Sequence, residues 1–499
     1  MEVLSAILNM PALLSTLLAG LAIYLLQRVA GKAKRRASLP PGPTGLPLVG
    51  NLFDIPTSNQ WIKFAEWGKK YGDICSVTIL GKPMIILNSA KAATDLLDKK
   101  SAIYSDRPIF PMAGELAGWS DMLILTPYGE KSRLHRKLLH KEIGTVNSVQ
   151  RHVPVAEAET RLFINRVISK PEDLATHIRH TAAAIILHVS HGYEVQEHHD
   201  PFIDLADNAV SQFSDCTTPG AFWVDVAPIL RYVPEWCPGA GFKKLAKEFR
   251  QTLRDMPHNF VKEQMNDGTA IPSYTRELLE KKGPNADEEL AIKWSAASLY
   301  SGGADTTVSA IHAFFLAMTL YPEVQKQAQA EIDTVVGTHT LPTYTDRERL
   351  PYVDALVKEV LRWNTVVPLA PHRVMEEDVY EGYRIPAGST MLANLDNMLH
   401  DPLTYPDPSV FDPTRFIPSE GKVVQKDPRS ICFGFGRRIC PGLHFADMTV
   451  FSSCAMALAT LNIAKCIKNG MVVEPVTDKT PGSVNHPVPF KCSITARAS

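Results

Sequence analysis

Phe433-Gly434-Phe435-Gly436-Arg437-Arg438-Ile439-Cys440-Pro441-Gly442 is the stretch on which the reading of this chain turns. It satisfies the pattern F-x-x-G-x-R-x-C-x-G. Five specified residues at fixed spacing arise by chance in about one chain of this length in ten thousand, given average residue frequencies. Glycines at 434, 436 and 442 let the backbone approach the cysteine sulfur, and a flat group beside it, with no Cβ in the way. A thiolate that serves as a metal ligand needs backbone N–H groups close by to hold its charge and tune the metal. Arg438 adds a fixed positive charge. A buried free cysteine in a glycine-rich turn is the plainer reading, and the specificity of the spacing outweighs it. Cys432, eight residues earlier, has no such surroundings and reads as structural.

Working outward, Glu359-Val360-Leu361-Arg362 places an acid and a base three residues apart, on one face of a helix. Alone this is a weak signal, usually a surface ion pair. Phe411-Asp412-Pro413-Thr414-Arg415-Phe416 follows it and offers a second arginine. Further upstream, Gly302-Gly303-Ala304-Asp305-Thr306-Thr307 lies inside an apolar helix expected from about 290 to 320. Two interior glycines cost a helix about 1 kcal/mol each relative to alanine. They make either a groove beside Asp305 and Thr306 or a kink for helix packing.

Together these stretches resemble the cytochrome P-450 family, and the resemblance runs the whole length of the chain. It implies a mainly α fold with a small β portion and a bound heme b (iron protoporphyrin IX). In that family the cysteine of the loop is the metal ligand, here Cys440, with Phe433, Gly434, Gly436 and Gly442 around it. Arg438 is implied as a partner of a haem propionate. Glu359, Arg362 and Arg415 are implied as a structural network behind the haem. Asp305 and Thr306 match the acid and alcohol that deliver protons during oxygen activation, which general acid chemistry requires at the distal oxygen. Tyr128-Gly129-Glu130-Lys131-Ser132-Arg133-Leu134-His135-Arg136 resembles the W-x-x-x-R helix of the family. Arg136 keeps the arginine, a propionate partner, while Ser132 replaces the tryptophan and removes one N–H donor. Pro371-His372-Arg373 resembles another propionate-contacting turn, with His372 as the candidate there.

The chain has 499 residues and a formal net charge of −1, which argues against nucleic acid as a partner. Its eight cysteines form no C-x-x-C pair, which favours reduced thiols. Val3 to Leu26 carries no charge and is long enough to span a bilayer. Arg28, Lys32, Lys34, Arg35 and Arg36 follow it and place the C-terminal side in the cytosol. The basic n-region of a cleaved signal peptide is missing. The expected organisation is therefore a transmembrane anchor over residues 1–27, a basic and proline-rich neck over 28–50, and a haem-thiolate catalytic domain over 51–499. The expected location is the endoplasmic reticulum membrane, single-pass, with the catalytic domain cytosolic.

Within the body, Gln60 to Tyr71 shows helical periodicity. Ile74 to Leu80 and Met84 to Leu87, separated by Gly81-Lys82-Pro83, read as a hairpin. Long helices are expected to about residue 365, with short strands at 372–395 and again around 470–497. Pro219 to Asp225, Tyr232 to Trp236, and His486-Pro487-Val488-Pro489-Phe490 resemble fungal microsomal members that act in secondary metabolism.

The resemblance implies a monooxygenase that draws electrons from NADPH through a membrane-bound flavoprotein reductase. Lys131, Arg133 and Lys137 lie on the helix facing that partner in relatives, where a basic face steers an acidic one. Relatives line their pocket with stretches matching roughly 109–125, 294–302, 365–370 and 480–485. Here these include Ile109, Phe110, Met112, Leu116, Trp119, Ala297, Leu299, Val366, Val367, Leu369 and Val484. An apolar lining favours a small lipophilic neutral substrate, a terpenoid ahead of an indole or polyketide, because an unpaired buried charge is costly. A charged amine needs Glu115 or Asp121 turned inward. Two other functions fit parts of the pattern: a haem-thiolate isomerase or dehydratase, which usually lacks the acid–alcohol pair, and a non-catalytic haem-binding sensor.

Overall fold

The computed structural model describes residues 38–217, 221–249, 254–281 and 283–497. The anchor expected over residues 1–27 lies outside them, as does the basic stretch to residue 37. Among the described residues no single helix is long and apolar enough to cross a membrane.

Residues 38–50, within the stretch expected as a basic and proline-rich neck, hydrogen-bond to the body of the fold. The Ser76 hydroxyl donates to the Pro40 carbonyl at 2.6 Å, the Ser76 N–H donates to the Pro41 carbonyl at 2.9 Å, and the Arg384 N–H donates to the Ser38 carbonyl at 2.9 Å. Prolines carry acceptors but no donor, so a proline-rich segment docks by offering carbonyls to an edge that supplies N–H groups.

The expected hairpin forms from Ile74–Ile79 and Lys82–Leu87, antiparallel, with Gly81 at φ 78° in the turn. Lys82–Leu87 then pairs in parallel with Thr390–Asn394, which pairs antiparallel with Leu369–Arg373. This four-stranded sheet joins the two ends of the chain and seats His372 opposite Met391. Gln60–Tyr71 is helical as read, burying Trp61, Phe64 and Trp67.

The central element is the helix Ala286–Leu320, 35 residues, about 52 Å at 1.5 Å per residue. Its start is fixed by Asn285, whose side chain accepts the Glu288 N–H at 2.9 Å while Glu288 accepts the Asn285 N–H at 3.0 Å. Asp287, Glu288 and Glu289 place negative charge at that N-terminus, where the helix dipole favours it. The helix packs against Leu174–His191 along its length. Its C-terminal half enters the main core with Val153–Ser169, Pro351–Trp363 and Leu443–Thr460, around Phe163, Phe314, Phe315, Val357, Phe451 and Leu458. Every residue from Thr307 to Thr319 is buried, and most of them are apolar, as a helix enclosed by the core requires.

Candidate functional site

The cysteine loop is a short helical turn, Arg429–Cys432, then a second turn, Gly436–Arg438, then the helix Leu443–Thr460 capped by Gly442. Gly434 and Gly436 sit at φ 78° and 56°, the left-handed region that side chains resist. At Gly436 the space is closed as well, because a Cβ there would lie 2.0 Å from the Leu97 carbonyl oxygen. Gly442 differs: its nearest obstruction is Ile143 Cδ1 at 3.4 Å, and its contribution is the N–H that it offers to the Cys440 sulfur. The Cys440 N–H itself donates to the Phe433 carbonyl at 2.8 Å. Burial pushes the Cys440 thiol up, while the Gly442 N–H and the guanidinium of Arg136 favour the thiolate. Cys432 is pushed well above the usual thiol range by burial and by the acids Asp427 and Asp447. The two cysteines of the segment therefore differ in their surroundings.

Beside the loop, cations converge. Arg438 is buried and donates to three backbone carbonyls: Ser105 at 2.7 Å, Thr126 at 2.8 Å and Leu123 at 3.3 Å. Arg136 donates to the Ile439 carbonyl at 2.7 Å. Arg107, which sequence reading did not single out, donates to the Pro371 carbonyl and leaves its Nε buried with no partner among the described residues. Burial, then the positive charges of Arg438 and Arg136, push the Arg107 guanidinium down to about 9. Arg438 is held at about 10 by burial, against the pull of Asp106. His372 is buried against the Tyr104 carbonyl, Nδ1 at 2.8 Å, and burial with Arg107 and Arg438 nearby drives it to about 3, so it is neutral. Asp106, the acid that opposes the arginines, is already bonded to Arg373 at 2.5 Å. Arg438 is buried and Arg107 and Arg136 are partly exposed, and three guanidiniums held together, one with an orphaned buried donor, are short of negative charge. A haem with two propionates beside Cys440 supplies it, so the residues present fit that group.

Ser132, in the place of tryptophan, bonds within its own helix start: the Gly129 N–H donates to its hydroxyl at 3.1 Å and the hydroxyl donates back to the Gly129 carbonyl at 3.0 Å. Of the expected reductase-facing cations, Lys131 is paired with Asp121 at 2.6 Å, and Arg133 and Lys137 are exposed.

On the long helix the two glycines separate. A Cβ on Gly303 would meet Ile186 Cγ1 at 2.7 Å, so this glycine is required for packing against Leu174–His191. Gly302 faces open space, with nothing within 4 Å of a Cβ. The Thr306 hydroxyl donates to the Gly302 carbonyl at 2.7 Å, one turn back. Asp305 meets His486 from the C-terminal turn, Oδ2 to Nε2 3.1 Å. Ser309, one turn further on, donates to the Asn485 carbonyl and accepts from the Asn364 side-chain amide at 3.0 Å. Asp305, Thr306 and Gly302 are thus brought to one place, and the C-terminal turn is brought to them.

Of the residues expected to line the pocket, Met112, Trp119, Ala297 and Leu299 are buried, whereas Ile109 is exposed. The segment Pro111–Leu116 is fastened to the stretch 223–232 by two polar contacts. Asp225 accepts the Met112 N–H at 2.8 Å, and Glu115 pairs with Arg231 at 2.7 Å. Both acids considered as amine counter-ions, Glu115 and Asp121, therefore already have cationic partners.

Residues 40–494 match the family model described as Cytochrome P450. Among curated proteins, the chain is 52% identical to Cytochrome P450 monooxygenase 208 of Postia placenta, across 94% of this chain and 92% of that one. It is 48% identical to Cytochrome P450 monooxygenase claR of Ampulloclitocybe clavipes, across 99% and 93%. It is 40% identical to Tryptamine 4-monooxygenase of Psilocybe cyanescens, across 97% of each.

Proposed function

Since the chain belongs to the cytochrome P450 family and is a haem-dependent oxidoreductase akin to fungal enzymes of secondary metabolism, we propose that it inserts one oxygen atom from O2 into a small lipophilic secondary metabolite. In this reading substrate C–H, O2, NADPH and a proton give the alcohol, water and NADP+, with the electrons passing through a membrane-bound flavoprotein reductase. The observation that carries the reading is the convergence of Arg107, Arg136 and the buried Arg438 beside the Cys440 loop, with the Arg107 Nε left without a partner.

Cys440 would hold the metal through its sulfur. Arg107, Arg136, Arg438 and His372 would hold the propionates, the arginines by charge and the histidine as a neutral donor. When bound, haem with a thiolate ligand supplies oxygen activation biased toward O–O cleavage. Asp305 holds and releases protons at Oδ2, and the Thr306 hydroxyl passes them into the groove that Gly302 leaves open. Glu359, Arg362 and Arg415 keep the framework rigid beneath the loop.

The substrate we favour is neutral, a terpenoid or a comparable apolar scaffold. The pairing of Glu115 with Arg231 and of Asp121 with Lys131 supports this, because neither acid is left to balance an ammonium. The tryptamine-oxidising relative favours an indole amine as the second reading. Binding-difference spectra against neutral terpenoids and indole amines separate the two, with Glu115→Gln and Asp121→Asn as controls. For the reaction itself, the full chain with a reductase, NADPH and 18O2 should place one labelled atom in the product. Product formed without NADPH consumption points instead to an isomerase or dehydratase, and haem binding without turnover to a sensor. We place the enzyme on the endoplasmic reticulum membrane through residues 1–27, with the catalytic domain in the cytosol. This rests on the uncharged stretch and the arginines and lysines after it. Removal of residues 1–38 should release the protein from the membrane fraction.

A further inference from the structure

Asp305 is useful as a proton donor only if it is resupplied, and the structure puts one titratable side chain of the C-terminal turn in contact with it. His486 Nε2 lies 3.1 Å from Asp305 Oδ2, across 181 residues of sequence. Both side chains are mostly but not wholly buried, 19% and 14% exposed. The turn that carries the imidazole is fixed on both sides. The His486 N–H donates to the Thr480 hydroxyl at 3.0 Å, and the Thr480 N–H donates to the His486 carbonyl at 2.8 Å. The preceding residue, Asn485, donates its N–H to the Val366 carbonyl at 2.8 Å and accepts the Ser309 hydroxyl. An imidazole held this way has little freedom to leave the carboxylate. Among the described residues its other nitrogen, Nδ1, has no protein partner, which leaves that side to water.

The surroundings have a wet end and a dry end. On the helix Pro201–Thr217, Asp207 is close enough to Asp305 for their charges to repel, with Asp204 beside it. Asp207 pairs with Arg179 at 3.3 Å, and both side chains are nearly half exposed. On the other side His312 stacks on Phe490 at 4.8 Å, and burial holds it at about 4, with His486 and Arg179 adding to the effect. His312 is therefore neutral and buried, and it does not compete for the proton.

We propose that His486 is a positioning residue that orients Asp305 and recharges it with protons from solvent. A proton enters at Nδ1 from water while the proton on Nε2 moves to Asp305 Oδ2. The ring then returns to its first tautomer by exchange with water, and no net charge is gained or lost at the imidazole. This rests on the reading of Asp305 as the proton donor, and the experiment separates the two.

The full-length holoenzyme is compared with His486→Gln, His486→Asn, Asp305→Asn and the Asp305→Asn/His486→Gln double variant. The first readout is the melting temperature, without turnover. Coupled residues give a double variant whose shift departs from the sum of the two single shifts. The second is product formed and peroxide released per NADPH. The expected result is at least about a tenfold loss of product rate in Asp305→Asn and in both His486 variants, with electrons diverted to peroxide. Asp305→Asn uncoupling the enzyme while both His486 variants keep wild-type coupling overturns the role of His486 and leaves that of Asp305. Wild-type coupling in Asp305→Asn overturns both. Additive melting shifts show that the contact does not couple the residues, and also overturn the proposal.

Discussion

Arg362 and Glu359 form a two-pronged ion pair with both side chains 0% exposed, Nε to Oε2 at 2.7 Å and Nη2 to Oε1 at 2.8 Å. Each also serves the loop behind it. Arg362 donates to the Leu399 carbonyl at 3.0 Å, and Glu359 accepts the Asp412 N–H at 2.9 Å and Arg415 Nε at 3.3 Å. Removing one partner leaves the other charge buried and unpaired, a loss of about 3–5 kcal/mol. Glu359→Gln and Arg362→Met should each lower the melting temperature sharply and reduce the haem-loaded fraction on expression. Wild-type melting in either variant contradicts the role assigned to the pair.

Gly302 and Gly303 should respond in opposite directions to the same methyl group. Gly302→Ala meets open space and relieves a helix-interior glycine, stabilising by up to about 1 kcal/mol. It also projects into the groove beside Thr306, so coupling of NADPH to product should fall. Gly303→Ala strikes Ile186 and should destabilise. Melting curves of the two variants check the first part and peroxide release checks the second.

Asp225 gives a pH dependence of stability. Burial raises its carboxyl from 3.8 to about 6, against the Met112 N–H that favours the charged form. The folded state thus holds the proton more tightly than the unfolded chain. The stability linked to that proton is complete below 3.8 and is lost as pH rises through about 6. Asp225→Asn keeps an acceptor for Met112 and removes the titration. The variant should exceed wild type by at most about 3 kcal/mol at pH 7.5 and lose that advantage near pH 4, in unfolding curves at both pH values. Equal curves at pH 7.5 count against it.

Those contacts mark where sequence reading stops. The cysteine loop was legible because its constraints are local: Gly434 and Gly436 need left-handed backbone, and Cys440 bonds back to Phe433 seven residues away. The helix carrying Asp305 and Thr306 was legible from its apolar run, apart from four residues at its start. The two glycines were not separable by sequence, because only the neighbouring Ile186 tells packing from groove. Residues 38–50 read only as part of a proline-rich neck, since nothing local shows that Ser76 and Arg384 will meet their carbonyls. Arg107 was passed over for the same reason, and His486 stood out only as part of a family-like stretch, with no role of its own. An arginine before Pro108 and a histidine before Pro487 acquire meaning only from what folds against them.

Arg107 follows from that last point. Its orphaned Nε and the arginines around it imply an anion in the folded holoenzyme. Arg107→Ala should fold, because it relieves repulsion among buried cations, yet lose haem faster to a scavenger such as apomyoglobin. A variant that retains haem like wild type contradicts the assignment.

The reduced carbon monoxide adduct of the full-length protein should show the red-shifted Soret band of thiolate ligation, and Cys440→Ser should abolish that band, while Cys432→Ser should leave it in place. Retention of the band in Cys440→Ser, or its loss in Cys432→Ser alone, would contradict the assignment of Cys440 as the ligand.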